Sequence, residues 1–344
     1  MAVDINNLAL AVQRNCHISD AKYAGYYSMC VFLLKMREYY RWEQQIPLSH
    51  PLTKSDVGEW LSRRECDWRQ YEEDELKSLQ IGSQAFNPFE TDAINKLLIP
   101  EGYVYSGGYG IFKKPHFFLA ELEEQNSVDG HTINISNREI ARDLVAPPAM
   151  IIENQIFIRK ESLRRFIWEK IEEWRWKQDS DTPMARALAF YHKTDIEKVL
   201  HDMCNNECHS VVLHEIGEAK ASTLLGAEWK ELLIQLPHSS LELKLRAIKD
   251  HIADSISTLP GIIENENIPA LHFYFANFTG MRKEIFPEAM EAYKEWVNTR
   301  NLNIIEKLSI MGKSKWLDIA NKIKKTYLEE KSLNSESVEL IISS

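Results

Sequence analysis

Read for the spacing of its apolar positions, the chain falls into a helical stretch, a β-rich stretch and a longer second helical stretch. KYAGYYSMCVFLLKMREYYRWEQQ (22–45) holds no proline until Pro47 and Pro51 and predicts one long helix. Thr53 or Ser55 offers an N-cap for a second, running through VGEWLSRRECDWRQYEEDELKSL. FETDAINKLLIP (89–100) predicts a third, ended by Pro100. Between 102 and 160 the pattern changes: GYVYSGGYGIF, KPHFFLAEL, HTINIS and AMIIENQIFIR are short, aromatic and β-branched, and separated by Gly, Asn and Pro. They predict two hairpins, turning near Ser106-Gly107-Gly108 and Glu153-Asn154-Gln155. SGGYG lacks the Lys-Ser/Thr and the following helix of a phosphate-binding loop.

From 161 the period is helical again. ESLRRFIWEKIEEWRWK (161–177) gathers Leu163, Phe166, Ile167, Ile171 and Trp174 on one stripe and reads as a solvated surface helix. Helices at 195–225 and 227–236 follow, and Ser239 with Glu242 forms a capping box for one reaching about Leu259, before Pro260-Gly261. Further helices are predicted at 268–284, 287–300 and over much of 301–331, with a polar, loose tail from Ser332. The expected class is mainly α (α+β), a helical bundle with a small antiparallel β-sheet in the N-terminal half. Its parts are a helical region over 1–160 with the hairpin sheet at 102–160, a bundle over 161–331, and a flexible tail over 332–344.

Composition narrows the function classes. A chain of 344 residues has room for two domains, and 44% hydrophobic with 27% charged residues is ordinary for a water-soluble protein. A net charge of −10 without any Lys/Arg block argues against nucleic acid as a partner. No apolar run is long enough for a bilayer, and MAVDINNLALAVQRN has no signal-peptide pattern. The odd count of five cysteines suits a reducing compartment, so the expected location is cytoplasmic; oligomeric state is left open.

The candidate chemistry lies in ECHSVVLHEIGEA (207–219). On a helical wheel Glu207, His214 and Glu218 share the face of Ile196, Leu200, Met203, Val211 and Leu225, while Val212, Ile216 and Ala219 form a second apolar strip. A helix apolar on both sides is an interior helix, and an ionised carboxylate in it needs a counter-charge. No Lys or Arg lies within 199–219, so the counter-charge comes from another helix or from a metal. Side chains one or two turns apart let one helix give several ligands to one site. A second helix, LELKLRAIKDHIADSISTLP, stacks Asp250 and Asp254 one turn apart on a small-residue face, with His251 beside them. Asp250 has Arg246 four residues back as a local partner; Asp254 has none. His272 in ALHFYFANF is a third-helix candidate, and Glu38 another. A donor set rich in carboxylates with few imidazoles suits iron or manganese.

The Glu207 to His214 interval of seven resembles that of the haem-oxygenase-like diiron oxidases, in which a core helix offers a Glu and, seven residues on, a His. His251 and Asp254 are similar to that family's later His and Asp ligands, at an interval of three where four is usual. As a whole the chain is also similar to bacterial proteins of unknown function. The diiron resemblance implies two iron ions (manganese or zinc as alternatives), dioxygen activation, a small organic substrate and an electron donor. A rival reading takes His214 and Glu218 as zinc ligands in HExxE, Glu215 as general base, and His251, Asp254 or His272 as third ligand. A His-Asp phosphohydrolase would need Asp at position 215. His201, Cys204 and Cys208 share a helix face where a structural zinc or plain buried thiols fit. The non-enzyme reading is a helical binding or scaffold protein whose buried acids pair with Arg37, Arg41, Arg63 and Arg64.

Overall fold

Three helices open the chain: α1 (Ile5–Tyr23), α2 (Met29–Glu43) and α3 (Lys54–Arg69). Asp4 caps α1 by accepting from Asn7 N at 3.2 Å, and Thr53 caps α3 through Asp56 N. The single helix expected over 22–45 is two, because the chain makes one 3₁₀ turn at Ala24–Tyr26 and extends at Ser28 before α2. The computed structural model describes residues 3–110, 113–177, 181–191, 195–236, 239–330 and 333–343. It divides into two units: Met1–Glu169 with Asp195–Cys204, and Lys170–Thr194 with Asn205–Ser344.

In the first unit a hairpin of β1 (Leu79–Ile81) and β2 (Gln84–Phe86) precedes α4 (Thr91–Leu98). Then come β3 (Tyr103–Tyr109), β4 (Pro115–Val128), β5 (His131–Arg142), β6 (Ala149–Ile152) and β7 (Gln155–Arg159). These five strands correct the expected fold class. They form a curled mixed sheet in the order β3-β4-β5-β7-β6, not a small antiparallel one, and the molecule is not a simple helical bundle. Three causes lie behind the difference. The exposed polar residues at 123–127 lengthen β4 because they lead into pairing with the start of β5, so strand length exceeds the apolar pattern. Register shifts between Leu119 and Glu124 bend β4 and curl the sheet. The β6–β7 hairpin sets β7 alongside β5 in parallel. Ser106-Gly107-Gly108 is strand, not turn: Gly107 pairs with Phe117, and a Cβ there would collide with the carbonyl oxygen of Pro88. The turn at Glu153-Asn154 forms as expected, with Glu153 at φ 53°.

Helix α5 (Lys160–Lys177) buries Ser162 and Arg165 as well as Leu163, Ile167 and Ile171, so it is more covered than a solvated surface helix. After α6 (Pro183–Leu188) comes α7 (Ile196–Gln235), broken at Gly226 (φ 79°, ψ −176°), where the sequence predicts the boundary. Ser239 caps α8 (Ser240–Ala253), its Oγ accepting from Glu242 N at 3.0 Å. The helix does not stop at Pro260. It opens into a π-helical turn over Asp254–Thr258 and continues as α9 (Leu259–Glu264), with Pro260 in the first turn of α9. Pro260 has no N–H to give to the helical ladder, and the wider π turn immediately before it takes up the break.

The span predicted as one helix at 268–284 is α10 (Ile268–Ala276) and α11 (Gly280–Ile285). Then follow α12 (Pro287–Thr299), α13 (Asn303–Glu330) and α14 (Ser335–Ser343). Ser332 lies outside the described residues, but the remaining tail is helical and buries Val338 against the core. Leu245, Ile248, Ile252, Phe275, Trp296 and Trp316 belong to that core. Among the described residues no helix is long and apolar enough to cross a membrane.

Candidate functional site

Three glycines fix how the helices of the second unit approach one another. A Cβ at Gly217 on α7 would lie 2.5 Å from the carbonyl oxygen of Ala253 and 3.1 Å from Ser257 Cβ. Ser257 Oγ also donates to the Leu213 carbonyl at 2.7 Å, and Leu213 Cδ1 lies 2.5 Å from where a Cβ of Gly261 would stand. On α13, a Cβ at Gly312 would meet Ser255 Oγ at 2.5 Å. The π turn is therefore held closely between α7, whose Gly217 meets the Ala253 backbone, and α13, whose Gly312 meets the Ser255 hydroxyl, which accounts for a glycine inside the helical run of α7. π turns recur at functional positions, and this one begins at Asp254.

Asp254 is 2% exposed and accepts four hydrogen bonds. His214 Nδ1 and Thr258 Oγ1 each lie 3.0 Å from Oδ1; Tyr274 OH lies 3.0 Å from Oδ2, and Arg282 Nη2 donates to the same oxygen. Burial alone would favour the neutral acid, but the Arg282 guanidinium and the His214 imidazole outweigh it and hold Asp254 far below the ordinary carboxylate range. The effect on His214 is reciprocal. Burial disfavours its charge, yet the bond to Asp254 and the charges of Asp254, Glu215 and Glu218 push its pKa up to about 9. Its side chain keeps 31% of its surface open. An ionised Asp254 accepting at Nδ1 requires the proton on that nitrogen, so Nε2 is the atom left for chemistry.

The other acids are arranged around this pair. Glu218 Oε2 forms an ion pair with Lys249 of α8, while Oε1 is buried and meets no hydrogen-bond partner. Burial, opposed by Arg282 and reinforced by Glu218, raises Asp250 to about 7. Arg246 does not serve Asp250; it binds Glu242, at 2.9 and 2.7 Å. Burial raises Glu215 as well. Glu207, 3% exposed, has the Asn206 amide at 3.1 Å, and burial pushes it up to about 8, so it is protonated at neutral pH.

His251 and His272 serve the core. His251 stacks on Trp316 with ring centroids 4.7 Å apart, its Nε2 meets the Arg282 carbonyl at 3.1 Å, and burial lowers it to about 3. His272 Nδ1 meets Tyr293 OH at 2.9 Å beside Trp296, and burial lowers it to about 4. Glu38 belongs to the first unit, gripped by Arg41 at 3.1 Å and Arg37 at 3.3 Å. No disulfide joins the cysteines among the described residues.

The structure thus brings His214, Asp254, Asp250, Glu215 and Glu218 into one electrostatic neighbourhood and leaves Glu207, His251 and His272 to other contacts. Sequence reasoning missed Lys249, Thr258, Tyr274 and Arg282. Lys249 directly precedes Asp250 and was legible as a neighbour; nothing in GMRKEIF marks Arg282 as the partner of Asp254. The residues as they stand do not fit a pair of metal ions. Among the described residues no three His, Cys, Asp or Glu side chains converge as ligands, and an ammonium and a guanidinium already neutralise the two best-placed carboxylates.

No curated protein and no solved structure matches the chain. Two family models do, one covering residues 7–159 and the other residues 164–344. They are the N-terminal and C-terminal domains of a family of unknown function (DUF6866), and the chain belongs to that family.

Proposed function

We propose that the second unit is an enzyme domain working by proton transfer at His214 on a small molecule. The observation that carries this reading is the His214–Asp254 pair: an open imidazole ring fixed to a buried, permanently ionised carboxylate. With its pKa near 9, His214 is an imidazolium at neutral pH, so Nε2 carries a proton for a substrate oxygen or leaving group. Asp254 orients the ring and stabilises its charge, as the carboxylate of a catalytic triad does for its histidine. Tyr274, Thr258 and Arg282 are positioning residues that hold Asp254. A net charge of −10 disfavours nucleic acid as the substrate, and the reading places the enzyme in the cytoplasm.

The test is a titration of His214 by NMR in the wild type and in Asp254→Asn, joined to turnover of model acyl, phosphoryl and glycosyl substrates. The expected pKa is about 9, falling by more than about one unit in the variant. Turnover is expected to disappear in His214→Gln. A wild-type value at or below the ordinary histidine range sinks the reading and leaves a helical scaffold protein.

The diiron oxidase implied by the family resemblance is the rival proposal, and one observation favours it: the buried Oε1 of Glu218 has no partner, as a vacant donor to a cation would. It requires Lys249 and Arg282 to leave their carboxylates. Elemental analysis of protein grown with iron, manganese and zinc separates the two. Two irons per chain, lost in Glu218→Ala, would replace acid–base chemistry with oxidation.

A further inference from the structure

The first unit carries its own buried charges, and one corner of them is short of acceptors. Glu139 on β5 is saturated: Oε1 accepts from Arg159 Nε at 3.1 Å and Ser162 Oγ at 2.6 Å, and Oε2 from Arg159 Nη2 at 2.6 Å. Arg142, at the end of β5 and 1% exposed, is left with a 3.8 Å ion pair to the same carboxylate. Its Nε and Nη2 are buried and meet no acceptor among the described residues. These two atoms form the side edge of the guanidinium, whose parallel N–H bonds match the two oxygens of a carboxylate or phosphate.

The surroundings add donors rather than acceptors. The guanidinium lies over the Trp42 ring, with Cζ 4.8 Å from its centroid, and Trp42 Nε1 is likewise buried without an acceptor. Arg165 on α5 gives Nη2 to the carbonyls of Val145 and Ala146 at 3.1 and 2.7 Å and reaches Glu169 at 3.5 Å. Its Nε has no partner. The nearby acid Glu161 already accepts from Glu139 N at 2.6 Å. Burial first, and then repulsion from Arg165, pull Arg142 down to about 10. Arg142 and Arg165 are like charges close enough to repel, and the four unmet nitrogens here are all donors, which calls for an anion with several acceptor oxygens.

We propose that Arg142, Trp42 and Arg165 form a buried oxyanion site that takes a small phosphate- or carboxylate-bearing molecule. The site is independent of the chemistry at His214.

Calorimetric titration and thermal melting of the full chain test it, using sodium phosphate and sodium acetate against sodium chloride at equal ionic strength. The expected result is saturable binding of one oxyanion per chain with a melting point raised beyond the chloride control. Whichever anion saturates at lower concentration identifies the ligand class. Arg142→Lys removes the side edge and is expected to weaken binding about tenfold or more. Trp42→Phe keeps a ring beneath the guanidinium, removes one donor, and is expected to weaken binding about three- to tenfold. The proposal is overturned if neither oxyanion exceeds chloride, if Trp42→Phe binds as the wild type does, or if crystals grown in phosphate show only water at these N–H groups. Should Arg142→Lys fail to fold, Trp42→Phe and the wild-type crystal decide the matter.

Discussion

Asp254 accepts from four side chains on four segments, so removing its charge while keeping its shape isolates what the charge does. In Asp254→Asn the partly buried Arg282 guanidinium is left without its counter-charge. Breaking one side of a buried pair costs about 3–5 kcal/mol, and we expect a loss in that range in urea denaturation, with the helical spectrum retained. At this scale the sequence was informative about which side chains are out of place and uninformative about what compensates them. The wheel for α7 put Glu207 and His214 on an apolar face, and the structure buries the first and anchors the second to Asp254. It could not show that a proton satisfies Glu207, or that Lys249 and Arg282 answer Glu218 and Asp254, because those partners come from other turns and other helices.

Helices in the second unit are placed by small residues more than by large ones. Gly217→Ala pushes a methyl group against a backbone carbonyl that cannot rotate away, and we expect it to cost about 1–3 kcal/mol and to loosen the His214–Asp254 contact. Gly312→Ala is the control, since its nearest neighbour is the hydroxyl of Ser255, which can turn; its cost in the same denaturation series should be clearly smaller. Element boundaries were legible where a side chain or a backbone angle enforces them, as at Thr53, Ser239 and Gly226. They were not legible at Pro260, where a π turn carries the helix past the proline, nor at Gly107, where glycine serves close packing and not a turn. The three-residue strands β1 and β2 were missed because alternation needs more positions than that to be visible.

Across the whole molecule the shifted groups give stability a pH dependence whose sign can be worked out. Glu207, Asp250 and His214 have folded pKa values raised to about 8, 7 and 9. Each holds its proton more tightly when folded, so its contribution is lost as pH rises from its unfolded value through its folded one. His17, His251 and His272 are lowered to about 3, 3 and 4, so the folded state resists protonation and loses stability as pH falls below the ordinary histidine range. The two sets meet between about pH 5 and 6.5, where we expect maximal stability. Urea midpoints at pH 6 and pH 9 should differ by the equivalent of more than about 2 kcal/mol, with the alkaline protein weaker; equal midpoints would contradict the burial of these groups.

The segment 195–204 belongs with residues 1–169, bound there by Glu197 to Ser49 and by Cys204 to the carbonyl of Lys160, although it is reached only after the chain has entered the other unit at 170. The family division near residue 160 therefore cuts the sequence where it does not cut the structure. Recombination at that point would take both 160–169 and 195–204 from the first unit and leave them on a daughter to which they do not belong.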